Sequence, residues 1–212
     1  MPDLLLDQNL RKGLLQLSMD LSDQQIMQLL KYVELLKSWN KSYNLTAITD
    51  PFKSISYHLL DSLSILPAVG QKQVLLDVGS GAGLPGLPLA IAMPQSEWTL
   101  LDSNGKKTRF VQQALASCQI KNVAVVKSRI EDYHVRPPWQ MIVSRAFASL
   151  ADFVESVSHL CDQQTVLLTM KTRLTASEKQ ELDSGSYQID ETELIVPGIT
   201  EHRSQVLIHK KL

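Results

Sequence analysis

The chain has 212 residues, 44% of them hydrophobic and 20% charged, with a formal net charge of −1. That length suits one compact domain with an appendage, and the composition excludes a disordered or collagen-like chain. Two cysteines, Cys118 and Cys161, do not make a secreted disulfide framework, and no C-x-x-C spacing offers a zinc site. Asp3 and Asp7 precede any basic residue, the wrong order for a signal peptide. The uncharged stretch 78–96 holds four glycines and three prolines, so it does not read as a membrane helix. A cytoplasmic location is expected.

Residues 1–66 read as helical. Leu6, Leu10, Leu14 and Leu17 recur at helical spacing. Ser22 and Gln25 form a capping box ahead of Ile26, Leu29, Leu30, Val33 and Leu36, and that helix should end near 40–44. Asp50-Pro51 reads as an N-cap followed by proline at the first helical position. Ile55, Leu59, Leu63 and Leu66 make the next stripe, which Pro67 is expected to stop. From residue 73 the pattern becomes strands alternating with helices: strands at 74–78, 98–102, 123–127, 141–144 and 165–170, helices at 85–93, 106–117, 150–160 and 176–182. A closing antiparallel pair, 187–196 and 205–209, turns around Pro197-Gly198. Strictly alternating strands and helices imply right-handed crossovers and a doubly wound sheet. The expected organisation is a helical extension, 1–66, packed on a core domain, 67–212.

The loop Asp77-Val78-Gly79-Ser80-Gly81-Ala82-Gly83-Leu84-Pro85-Gly86 joins the first strand of that sheet to its helix. Glycines allow a tight turn and close approach of a ligand to the backbone. In a doubly wound sheet, ligands bind at the carboxyl ends of the strands. Asp102 ends the second strand, where a carboxylate accepts hydrogen bonds from ribose hydroxyls. These features imply an adenosine-bearing cofactor. Gly81, Gly83 and Gly86 literally match the dinucleotide pattern. Asp77, set at the loop mouth, would repel a pyrophosphate and attract a cation. The cofactor expected is therefore S-adenosyl-L-methionine (AdoMet), with its sulfonium and ammonium groups. The fold class that follows is α/β, a Rossmann-like AdoMet-dependent methyltransferase fold with a seven-stranded, mostly parallel sheet.

The acceptor is read from the fourth strand's end, Ser144-Arg145-Ala146-Phe147. The acidic or amide residue before Pro-Pro-aromatic that suits exocyclic amines is missing there; Pro137-Pro138-Trp139 lies before the strand instead. No cysteine there supports a covalent carbon-5 route. Arg145 stands out as a contact for the cofactor, or for a phosphate and base. Within 103–145 the net charge is +6, with Lys106, Lys107 and Arg109 in one helical first turn, where they oppose the helix dipole. RNA phosphates would relieve that opposition. His58 and Asp61 stand three apart on a helix and could pair. The five histidines show no metal-ligand spacing. A small-molecule or protein methyltransferase and a non-catalytic nucleotide-binding module stay open at this level.

Residues 36–46 (Leu-Lys-Ser-Trp-Asn-Lys-Ser-Tyr-Asn-Leu-Thr), His58-Leu59-Leu60-Asp61-Ser62, the loop 77–86, Leu101-Asp102-Ser103 and Ser144-Arg145-Ala146-Phe147-Ala148-Ser149-Leu150 together closely resemble the RsmG family, also called glucose-inhibited division protein B. The resemblance spans about residues 20–210. It implies AdoMet-dependent methylation of nitrogen 7 of a guanine, at position 527 in the 530 loop, of bacterial 16S rRNA. The implied partner is 16S rRNA in the 30S subunit or its assembly precursor. The resemblance also puts Gly79 and Leu84 on cofactor-contacting loop positions, Ile130 and Glu131 on the adenine side, and Arg145 in the cofactor site. Asp77, Gly81 and Asp102 complete the expected set. Lys171-Thr172 departs from the family's Lys-Gly after the fifth strand, which leaves Lys171 without an assigned role. No catalytic acid or base is expected, because guanine nitrogen 7 has a free lone pair and no proton to lose.

Overall fold

The computed structural model describes residues 4–135, 137–145, 147, 149–183 and 186–211. Asp3, Ala146 and Ala148, used in the sequence reading, and Arg136, one of the basic residues counted within 103–145, lie outside the described residues. Helix α1 (Leu4–Gln16) buries Leu10 and Leu14, and α2 (Asp23–Tyr43) buries Ile26, Leu29, Leu30, Tyr32, Val33 and Leu36. Ser22 Oγ accepts the Gln25 N–H at 3.3 Å while Gln25 Oε1 accepts the Ser22 N–H at 2.9 Å, the expected capping box. Gln25 Nε2 also donates to the carbonyls of Ile91 and Ala92, tying this helix start to a later helix end. Asn44, in the left-handed region at φ 50°, ends α2. Asp50 caps α3 (Pro51–Ser54) by accepting from the N–H groups of Phe52 and Lys53. The helix passes through a π-helical stretch, Ile55–Leu60, into α4 (Asp61–Leu63). Pro67 does not stop the helical region as expected. It lies in the first turn of α5 (Leu66–Val69), where a missing N–H breaks no helical bond.

The alternating part follows: β1 (Val74–Val78), α6 (Gly86–Ala92), β2 (Glu97–Asp102), α7 (Gly105–Cys118), β3 (Val123–Lys127), β4 (Met141–Ser144), α8 (Leu150–Val157), β5 (Val166–Lys171), α9 (Ala176–Asp183), β6 (Tyr187–Glu193) and β7 (Ser204–Lys210). The sheet order is β3-β2-β1-β4-β5-β7-β6, with β1 to β5 parallel and β7 antiparallel to both of its neighbours. The expected seven-stranded, mostly parallel sheet is present. Strand side chains alternate between two apolar layers, as a period of two requires. Leu75, Trp98 and Leu100 pack with α1, α2 and the 51–69 helices, and with Leu87 and Phe110. Leu76, Leu101 and Ile142 pack on the opposite face with Phe153, Val157 and Ile208. Each fully buried Leu or Phe stabilises the fold by about 1.5–3 kcal/mol. Register brings Val78 opposite Leu101, Asp102 opposite Lys127 and Ser144 opposite Thr169, so the carboxyl ends of the parallel strands share one edge. Among the described residues no helix is long and apolar enough to cross a membrane.

Candidate functional site

The β1–α6 connection is held open by backbone bonds. Gly79 and Ser80 N–H groups both donate to the Leu101 carbonyl, at 2.9 and 3.1 Å. Gly79, Gly81 and Gly83 take φ values of 70°, 59° and 91°, which an L side chain adopts only with strain. Tyr32 crosses from α2, fully buried, and donates its hydroxyl to the Ala82 carbonyl at 2.9 Å. On the far side Ser144 donates to the Val78 carbonyl at 2.7 Å. The loop is thus clamped between the helical extension and β4.

The two carboxylates lie under this loop, not at its mouth. Asp77 is wholly buried, with Oδ2 accepting the Gly86 N–H at 2.8 Å. A Cβ on Gly86 would lie 2.6 Å from that oxygen, so only glycine allows the approach. Burial pushes the Asp77 carboxyl up to about 7; the Gly86 N–H and Arg145 pull against that, and Asp102 adds to it. Asp102 accepts the Gly81 N–H through Oδ2 and the Asn104 N–H through Oδ1, both at 2.8 Å. Each of its oxygens keeps one lone pair for a further donor.

Asp77 gives a pH dependence with a definite sign. Its carboxyl is more basic folded than unfolded, so the stability carried by the protonated form is complete below about 4 and lost as pH rises through about 7. Asp77→Asn cannot ionise. Urea unfolding of the ligand-free protein at pH 5 and pH 8 should therefore show the variant gaining on wild type by roughly 1–3 kcal/mol across that interval. Parallel pH curves for the two proteins would contradict the burial argument.

Above the loop lies a cavity of about 230 Å³, lined by Gly79, Ser80, Gly81, Ala82 and Leu84, with Leu45, Thr46, His58, Lys107 and Arg145. It brings together four of the expected residues, Gly79, Gly81, Leu84 and Arg145. Ile130 and Glu131 follow β3 and do not line it; Ile130 is buried in one layer with Val78 and Leu101, and Glu131 is exposed. The charged side chains lining this cavity are Lys107 and Arg145. The acidic mouth that sequence reasoning used to prefer a sulfonium over a pyrophosphate is absent: Asp77 is wholly buried beneath the loop, and neither carboxylate lines the cavity. Proximity of charge does not choose the cofactor. The backbone cradle does fit an adenosine-bearing amino acid: positive-φ glycines expose the chain, and Asp102 retains acceptor capacity beside them.

A second cavity, about 510 Å³, adjoins the first through Thr46, His58 and Arg145. Its further walls include Tyr57, Asp61, Phe147, Lys171, Arg173 and Arg203. His58 and Asp61 do not pair with each other. His58 is buried, with Nε2 3.1 Å from Thr46 Oγ1, and burial beside Arg145 lowers its pKa to about 4. Asp61 is buried between Arg145 and Arg203, 3.3 Å from each. Desolvation raises its pKa and the two arginines oppose that rise. Lys171 pairs with Glu178 at 3.1 Å. Sequence reasoning missed Tyr32, Thr46 and Arg203. Tyr32 gave a signal, since a tyrosine within a buried apolar stripe needs a partner for its hydroxyl; Arg203 gave none.

This sheet order, with a glycine loop after β1 and an acid ending β2, defines a Rossmann-like methyltransferase. Solved structures agree on the fold. A ribosomal protein L11 methylase from Lactobacillus delbrueckii subsp. bulgaricus superposes with a TM-score of 0.57 at 18% identity, covering 72% of this chain and 77% of that one. M. capricolum TrmK, solved with S-adenosyl-homocysteine, superposes with a TM-score of 0.56 at 10% identity, covering 70% and 67%. Residues 25–207 match the family described as rRNA small subunit methyltransferase G (GidB). Proteins named ribosomal RNA small subunit methyltransferase G are 44% identical over 97% of this chain and 96% of theirs in Ectopseudomonas mendocina, and 45% identical over 95% and 94% in Nitrosococcus oceani. The chain belongs to the rRNA small subunit methyltransferase G family.

Proposed function

We propose that this protein transfers a methyl group from AdoMet to nitrogen 7 of a guanine in the 530 loop of 16S rRNA, within the 30S subunit or its precursor, in the cytoplasm. The observation that carries the reading is two joined cavities at one sheet edge, one against a glycine backbone and one walled by arginines. Residues 1–66 act as a helical extension of the methyltransferase domain, 67–212; a shared apolar layer supports this division of labour. Gly79, Gly81, Leu84 and Arg145 would face the cofactor, and Asp102 would accept its ribose hydroxyls. Ile130 and Glu131 would flank its adenine, and Asp77 would brace the loop from beneath.

When bound, AdoMet supplies an activated methyl group on a sulfonium. Guanine nitrogen 7 attacks with its own lone pair, so no side chain must remove a proton. Alignment then carries the rate, and well-oriented reactants gain up to roughly 7–11 kcal/mol. The arginine-walled cavity suits an extruded base with its phosphates, as RNA recognition usually splays bases out. His58 is neutral throughout the working range because its pKa lies near 4. With saturating AdoMet, kcat should stay flat between pH 6 and pH 8; a slope tracking an imidazole would contradict the mechanism.

The test is labelled AdoMet with purified 30S subunits, naked 16S rRNA and small acceptors, with the product base mapped by mass spectrometry. Label in nitrogen 7 of a 530-loop guanine supports the reading; label only in small acceptors overturns it. Lys106 and Arg109 are exposed at the start of α7, whose N-terminus Asn104 caps by accepting from Lys106 and Lys107 N–H groups. Lys107 is half-buried and reaches the loop cavity. Replacing all three by alanine should reduce the salt slope of RNA binding by about 2–3, close to one unit per lost phosphate contact. An unchanged slope would remove this face from the RNA surface.

A further inference from the structure

Asp61 is where two arginines meet. Its Oδ2 lies 3.3 Å from Arg145 Nη1 and its Oδ1 3.3 Å from Arg203 Nε. The three side chains come from distant places: the start of α4, the residue after β4 and the residue before β7. The carboxylate is only 6% exposed, whereas Arg145 keeps 30% and Arg203 14%, and all three line the larger cavity. Each guanidinium is restrained a second time. Arg145 Nη1 also donates to the Tyr57 carbonyl at 3.4 Å, and the Arg203 guanidinium lies 5.9 Å from the centre of the Tyr57 ring. The Tyr57 hydroxyl is itself anchored on Glu201. The π-helical stretch 55–60 immediately precedes Asp61, and it also supplies Tyr57 and His58 to the same wall. Such irregular turns recur at functional sites because they re-aim side chains.

A guanidinium carries five N–H donors in a rigid fork. Asp61 accepts a hydrogen bond from Arg145 Nη1 and forms an ion pair with Arg203 Nε, while Arg203 Nη1 donates to the His202 carbonyl at 3.1 Å; the remaining N–H groups of the two forks would meet the oxygens of an incoming nucleotide. Without the carboxylate, two like charges would face each other and swing apart. We propose that Asp61 is a positioning residue for methyl transfer: its buried carboxylate holds Arg145 and Arg203 as one fixed pair that receives the carbonyl oxygen and flanking phosphate of the acceptor guanosine. This deepens the reading of the larger cavity as the acceptor site and rests on it.

The role separates binding from alignment. Asp61→Asn keeps both arginines and removes a negative charge, so RNA should still bind while the pair loses its geometry. Expected is a kcat on 30S subunits reduced roughly 30- to 100-fold, with the KM for subunits unchanged or lower and AdoMet affinity within about threefold. Asp61→Glu should recover part of kcat. Arg203→Lys keeps the cation but loses the planar fork, and should show the same loss of kcat at unchanged KM. Thermal melting establishes that each variant is folded. If Asp61→Asn does not fold, Arg203→Lys decides. A folded Asp61→Asn or Arg203→Lys with kcat within about twofold of wild type overturns the clamp, as does a raised KM with unchanged kcat. Wild type assayed on the same subunits separates the two failures: no transfer by wild type overturns the acceptor reading itself, whereas normal transfer by wild type and variants alike overturns only the clamp.

Discussion

Arg145→Ala is expected to lower methyl transfer to 30S subunits by roughly 100- to 1,000-fold, the range associated with losing one preorganised donor at a reacting centre. Arg145 lines both cavities, so it stands where donor and acceptor must meet. It is joined to Asp61 and to the Tyr57 carbonyl, which bring the 51–63 helical region against the end of β4. Alanine removes the cation that, among the described residues, is common to both cavities. The fold should survive, because Asp61 keeps Arg203 as a partner and is not left as an uncompensated buried charge. Single-turnover transfer with preloaded AdoMet reads the effect directly. A loss confined to AdoMet affinity, with normal single-turnover rate at saturation, would restrict Arg145 to the cofactor side.

Asp102→Ala should weaken AdoMet binding by roughly 30-fold or more, measured by calorimetry. Its carboxylate does two things at once. It accepts the Gly81 and Asn104 N–H groups, so alanine leaves two backbone donors at the loop without their partners. Each such donor costs about 1–3 kcal/mol when buried and unsatisfied. It would also remove the acceptor for the cofactor hydroxyls. Asp102→Asn separates these contributions: the amide oxygen still accepts one N–H, so loop geometry is partly kept while the charge-assisted bond to a hydroxyl is lost. Equal AdoMet affinity in wild type and Asp102→Ala would show that the loop holds its shape through the Leu101 carbonyl alone.

Much of this was legible in the chain. The capping box at Ser22 and Gln25, the N-cap at Asp50, the apolar strands and the glycine loop each rest on rules that act within a few residues. They appear in the structure where spacing put them. Pro67 was misread because proline stops one helix and starts another with equal ease, and only the next turn decides which. Gly79, Gly81, Leu84 and Arg145 line one cavity; the glycine loop pointed to Gly81, the family resemblance to Gly79 and Leu84, and the strand end together with that resemblance to Arg145. The error over Asp77 was electrostatic. Sequence gives a carboxylate's position along the chain but not which backbone N–H it accepts, and the Gly86 N–H holds Asp77 buried beneath the loop, not at its mouth.

By itself, then, the order of residues determined the strand-helix alternation, the loop after β1 and the family, because these depend on short-range periodicity and on motifs. Tertiary structure alone decided that Tyr32 would pin the loop, that charge at the cavity would be cationic, and that Asp61 would join Arg145 to Arg203. Those contacts link residues 50 to 142 positions apart. No local rule relates them, since their meeting depends on how helices and strands stack after the chain has closed on its core.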